Sequence, residues 1–194
     1  IIGGSSGSYV VCGLECYIPT GNQTFQFAVG DINGYTPLSI QFSSVSFPGY
    51  IHIQSIPGDH DSITSAPIIS NLSVNRNWYI GAGTLTFLSA DVTFNWLVAD
   101  NDPGLDWNLN EVVRYLGSNW AITQSNNKGS TFISATSLTD LGIFQIGQSN
   151  TTVTNGNDSG PGSLRNAVAV VSPGSTIHFS NAVNSVNLTG GPIL

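Results

Sequence analysis

Apolar and polar side chains change places at every residue in run after run of this chain, and a period of two is the signature of strands. Thr24-Phe25-Gln26-Phe27 and Tyr50-Ile51-His52-Ile53 are the cleanest cases. Successive side chains of an extended chain point to opposite faces, so in these runs one residue in two faces inward. Similar runs recur at short spacing: YVVCGLECYI, QTFQFAVG, PLSIQFSSVSF, GYIHIQSI, NRNWYIG, LTFLSADVTFNWLV, NEVVRYLG, NWAIT, STFISATSL and GIFQIG. Between them stand GDINGYTP, IPGDHDS, ADNDPGLDWN and QSNNKGS, built from the residues that turn a chain. Strands at this spacing, with no helical period between them, predict an all-β fold with an antiparallel β-sandwich over residues 1–148.

Composition narrows the function classes. The 194 residues include only 4 Lys and Arg against 11 Asp and Glu, a net charge of −7. Four scattered cations cannot neutralise a phosphate backbone, which argues against nucleic-acid binding. No apolar run approaches the ~18 residues of a membrane-spanning helix. The chain contains no Met and opens on no basic leader, so a processed product or an excerpt of a longer protein is expected. Low charge with abundant Ser, Thr and Asn suits an extracellular or cell-surface location.

Cys12 and Cys16 share one strand-like run. Four extended residues separate them by ~13 Å, whereas a disulfide needs Cα atoms within ~7 Å. Two unpaired core-facing thiols, a local bridge across a turn at Gly13-Leu14-Glu15, and an interchain bridge all stay open. Trp78, Trp96, Trp107 and Trp120 are read first as core, with Trp107, beside an acidic turn, the one expected at the surface.

The ordered series FQFAVGDINGYTPLSIQFSSV, SIPGDHDSI, SVNRNWYI, ADVTFNWLVAD, VVRYLGSNWAI and LTDLGIFQIG resembles a β-sandwich module of large secreted surface proteins of the Bacteroidota, generally cargo of the type IX secretion system. The resemblance covers roughly residues 9–148. It implies a structural or adhesive extracellular module and brings no catalytic set with it.

Residues 149–194 read as a second unit. VTNGNDSGPGSLRNAVAV, PGSTIHF and VNLTGGPIL resemble the N-terminal cap and first rung of a right-handed parallel β-helix. Ser163 is placed to cap a short helix with Leu164, Ala167, Val168 and Val171 on one face, and Thr176–Phe179 and Val186–Leu188 are the expected first strands. One rung cannot bury its own apolar face. Pro192, Ile193 and Leu194 are therefore expected to form an assembly edge, covered by further chain of the parent protein or by identical subunits joined head to tail.

Candidate chemistry is sparse. Asp100, Asp102 and Asp106 place three carboxylates in one Gly-containing turn near Glu111, a candidate Ca²⁺ site of extracellular affinity, set against the plainer reading of a solvated acidic turn. Asp31-Ile32-Asn33-Gly34 is read as a turn. Asp59-His60-Asp61 has the residue types of a metal cluster or an oriented base, although a turn is preferred. His52 and His178 lie in strand runs without an evident partner. Nothing in the spacing of the acidic residues selects a glycosidase pair. Asn22, Asn71, Asn150, Asn157 and Asn187 each begin an N-x-S/T triplet, expected by chance in such a composition. Asp61-Ser62-Ile63 matches a short bacterial O-glycosylation pattern, making Ser62 a candidate modification site.

The expectation is a non-enzymatic structural or adhesive module of a secreted surface protein or fibre. The competing readings are a carbohydrate-binding module using Trp107 with calcium, or an accessory domain of a polysaccharide-degrading enzyme.

Overall fold

The alternating runs build two antiparallel sheets that lie face to face, some consecutive strands pairing within one sheet and others crossing to the opposite one. The computed structural model describes residues 4–171 and 177–193. The first strands are β1 (Val10–Val11), β2 (Leu14–Ile18), β3 (Gly21–Phe27), β4 (Val29–Asp31), β5 (Gly34–Tyr35) and β6 (Leu38–Phe47). Next come β7 (Gly49–Pro57), β8 (Ile68–Gly81), β9 (Thr86–Asn95), β10 (Asn110–Tyr115) and β11 (Trp120–Ile122). The last are β12 (Gln124–Gly129), β13 (Phe132–Leu138), β14 (Gly142–Ser149), β15 (Thr152–Val153) and β16 (His178–Phe179), with one helix, α1 (Leu164–Val170), between the final two.

One sheet has the order β11-β10-β14-β8-β7-β2 and the other β12-β13-β9-β6-β3. Their inner faces close over a single core. Leu38, Ile40 and Phe42 of β6 with Val92 and Phe94 of β9 meet Ile51 and Ile53 of β7, Trp78 and Ile80 of β8 and Phe144 of β14. Trp78 sits 5.1 Å, ring centre to ring centre, from Phe94, which lies 5.2 Å from Phe144, so aromatic rings bridge the two layers. Trp96 and Trp120 are also buried, and Trp107 is the least enclosed of the four tryptophans, at half-burial. A small third sheet, β1-β4-β5, adds a parallel pair between β1 and β4.

Two expectations within the sandwich are corrected. YVVCGLECYI is not one strand: Cys12 (φ 78°) and Gly13 (φ 123°) both take left-handed backbone and divide it into β1 and β2. The break exposes Cys12, while Cys16 lies half-buried against the core; both are free thiols. QSNNKGS, read as a turn, supplies the whole of β12 instead. That strand ends its sheet with one neighbour, β13, and an edge strand needs little apolar content because much of it faces water.

The segment after β14 is built differently. β15 and β16 pair in parallel, Thr152 opposite His178 and Val153 opposite Phe179, with α1 in the connection. Ser163 caps α1, its Oγ accepting from the Asn166 amide at 3.2 Å, and Ala167 is buried beneath. Val186–Leu188 forms no strand, and no closed β-helix coil is present among the described residues. Pro192 is exposed and Ile193 half-buried; Thr176 and Leu194 lie outside the described residues.

Candidate functional site

The acidic turn that is the calcium candidate distributes its carboxylates over separate networks. Arg76, on β8 and fully buried, donates from Nε to Asp100 Oδ2 at 2.9 Å and from Nη1 to Asp31 Oδ2 at 2.6 Å. It also donates to Ser55 Oγ at 3.2 Å, and Ser55 shares a 2.9 Å hydrogen bond with Thr36. One guanidinium thereby ties β8 and β7 to the β4–β5 hairpin and to the turn after β9. Burial works against the Asp31 carboxylate, but the Arg76 hydrogen bond, the Asn33 amide and the Arg76 charge outweigh it and hold its pKa below the ordinary value. Asp100 also accepts from the Leu97 amide at 2.9 Å.

Asp102 turns elsewhere. Its Oδ2 accepts from the Ser73 amide at 2.9 Å and its Oδ1 from Asn75 Nδ2 at 2.7 Å. Asp106 caps the short 3-10 turn Trp107–Leu109 by accepting from the Asn108 amide at 3.0 Å. Asp100, Asp102 and Asp106 thus each accept from different partners, and among the described residues no three His, Cys, Asp or Glu side chains gather as metal ligands. Neighbours in sequence point to different partners because the turn curls through two 3-10 segments.

The Asp59-His60-Asp61 turn is likewise structural in its contacts. Asp59 accepts from Ser73 Oγ at 3.1 Å and from Gln145 Nε2 at 3.0 Å. Burial, then the nearby Asp102 charge, raises its pKa against those two hydrogen bonds. His60 lies 4.6 Å from the Tyr115 ring and 5.2 Å from the Trp120 ring, and its Nδ1 accepts from the Ser62 amide at 3.1 Å. Asp61 is exposed and Ser62 half-buried, its carbonyl accepting from Trp120 Nε1. The turn is pinned by these neighbours.

A recess of about 410 Å³ opens between the Asp106–Glu111 region and β16, where His178 is exposed. Burial raises the Glu111 pKa there, opposed by Lys128 at 3.9 Å, by Ser125 and by His178. Trp107 is absent from its lining.

A tyrosine-bearing surface that no single run of the sequence displays forms on the six-stranded sheet. On the outer face of the six-stranded sheet, β2, β7 and β8 present Tyr17, Tyr50 and Tyr79 at 50%, 59% and 39% exposure. Register puts them on one face: Tyr17 stands opposite Tyr50, Glu15 opposite His52, and Tyr79 opposite Gln54, two residues along from His52. Tyr17 and Tyr50 meet edge to face at 5.4 Å, and His52 lies 5.9 Å from Tyr79. Beside them is a groove of about 370 Å³ lined by Glu15, Tyr50, His52, Tyr79, the glycines Gly81 and Gly83, and Thr84. The alternation Tyr50-Ile51-His52-Ile53 already marked Tyr50 and His52 as outward-facing. Their assembly with Tyr17 and Tyr79 required the strand order.

Comparison with protein-family models, curated proteins and solved structures finds no match for this chain.

Proposed function

We propose that the chain is a non-enzymatic structural and adhesive module of a secreted cell-surface protein or extracellular fibre. The exposed tyrosine face on β2, β7 and β8 carries this reading. Tyrosine offers a large, stiff contact surface with a polar tip, which suits recognition at a wet interface. The carboxylates that could run chemistry are meanwhile engaged in fixing turns, as at Asp31, Asp100 and Asp102. The chain, coupled to beads and passed under shear over polysaccharide, matrix-protein and cell-envelope coatings, is expected to hold to at least one without releasing reducing sugar. Beads that hold to none, or measurable polysaccharide turnover, overturn the reading.

The β15–α1–β16 unit favours a second element of the proposal, that residues 149–194 open a parallel β-helix. Parallel strands joined through a capped helix suit the start of such a solenoid, and Phe179 and Leu188 remain 50% and 46% exposed. Further rungs, from the same parent protein or from identical subunits head to tail, would cover them. Sedimentation velocity over a concentration series tests the second route: the chain is expected to self-associate, and Phe179→Ser with Leu188→Ser to abolish it. A monomer at every concentration removes head-to-tail assembly and leaves the route through the parent chain.

A further inference from the structure

We propose that the groove between Tyr50 and Tyr79 binds a neutral pyranose unit of a polysaccharide. The proposal rests on the adhesive reading and names its ligand and its site.

The shape of the groove follows from a glycine. A methyl group at position 81 would stand 2.5 Å from the Tyr79 hydroxyl and 2.9 Å from its Cζ, so the phenol lies down over Gly81 along β8. Only a residue without a side chain leaves room for that pose. Tyr50, on the neighbouring strand, and Gly83 also line the recess. At about 370 Å³ the recess falls toward the small end of ligand sites, which run ~300–1,000 Å³.

The chemistry of the lining selects the occupant. A pyranose ring has a face of C–H groups, which settle on the electron-rich face of an aromatic ring, and a rim of hydroxyls that need hydrogen-bond partners. Tyr50 and Tyr79 supply the rings. Glu15 accepts hydrogen bonds, and His52 and Thr84 offer both donor and acceptor atoms. Charge removes the rival ligands: no Lys or Arg lines the groove, Glu15 is anionic, and the whole chain carries −7. Uronic acids, sialic acids, sulfated glycans and phosphate-bearing surfaces are repelled, whereas a neutral polyol is not.

Affinity electrophoresis and calorimetry of the full chain against soluble β-glucan, mannan and galactan, with polygalacturonate and heparin as anionic arms, test the site. Retention by at least one neutral polymer and by neither anionic one is expected. Tyr50→Ala and Tyr79→Ala should each weaken binding about tenfold or more, with the thermal unfolding midpoint unchanged. Gly81→Ala, which displaces the Tyr79 ring without deleting it, should weaken binding too, and Glu15→Gln should do so by a smaller factor. Equal retention by anionic polymers, or no retention by any neutral one, overturns the proposal. Neutral-polymer binding that survives both tyrosine replacements also overturns this site, but leaves the adhesive reading standing.

Discussion

The sandwich and the segment from Asn150 onward draw on the same Ser, Thr, Asn and Val, yet they are held together by different forces. Within the sandwich, two inner faces bury a continuous set of apolar side chains around Trp78, Phe94 and Phe144. From Asn150 onward, Val153 and Ala167 are the buried apolar side chains among the described residues. Hydrogen bonds do more of the holding there. Asp158 pairs with Arg165 at 2.8 Å and accepts from the Thr189 and Gly190 amides at 3.2 and 2.9 Å. Arg165 in turn donates to the Gly191 and Pro192 carbonyls at 2.8 and 3.2 Å, strapping the last described residues to α1. A burial-driven unit is expected to unfold cooperatively, and a strapped one to open locally at lower free energy.

The largest expected effect breaks the sandwich at its one buried cation. Arg76→Met leaves the Asp31 and Asp100 carboxylates enclosed without a counter-charge and should cost about 3–5 kcal/mol in urea unfolding. Adding Asp31→Asn and Asp100→Asn should recover much of that loss. If Arg76→Met alone is neutral, the guanidinium staple is not what ties these strands.

A smaller effect should stay local. Ser163→Ala removes the cap of α1 at a cost of about 1 kcal/mol. Amide exchange should speed up across Leu164–Val170, while the main unfolding transition of the sandwich keeps its midpoint. A matching drop in the global transition would show that the two regions unfold as one.

Acid should separate them as well. The Arg165 hydrogen bond, with the Arg165 charge and the Gly190 and Thr189 amides, holds the Asp158 pKa below its ordinary 3.8 despite some opposing burial. Its contribution is therefore present above pH 3.8 and is lost as the pH falls through the lower folded value. Exchange protection at Thr189 and Gly190 should persist at pH 5 and decay below 3.8. Protection that is flat across this range counts against the strap.

Asp59 carries the opposite sign. Its raised pKa favours the protonated form in the fold, a contribution present below 3.8 and lost as pH rises through the folded value. Asp59→Asn, which can still accept from Ser73 or Gln145, should leave neutral-pH stability unchanged or raise it by less than about 1 kcal/mol. A clear loss would make the carboxylate charge itself structural. The smallest effect belongs to the outer face, where Tyr50→Ala and Tyr79→Ala should shift unfolding by no more than about 0.5 kcal/mol.

Much of this architecture can be read from local pattern. Tyr50-Ile51-His52-Ile53 alternates in sequence, and Ile51 and Ile53 are fully buried as the pattern requires. Ser163 before Leu164, with Ala167 one turn on, marks α1 for the same local reason. β12 is not legible in QSNNKGS because a polar edge strand has the composition of a turn. Strand composition does not reveal the reversal of φ at Cys12 and Gly13 that divides β1 from β2. The acidic turn suggested one cation, but its carboxylates are claimed by Arg76, Ser73 and Asn108, the first two of which lie more than twenty residues away.

The sequence by itself determined which residues alternate, how α1 is capped and how little positive charge there is, because pattern and cap depend on neighbours within one strand or one helical turn and charge on composition alone. Tertiary structure alone decided that Arg76 would find Asp31 across forty-five positions and that Tyr17, Tyr50 and Tyr79 would share one face. Those outcomes depend on which strands lie side by side, and strand order follows from how two apolar faces close over one another, a property of the assembled sheets that no single run of residues contains.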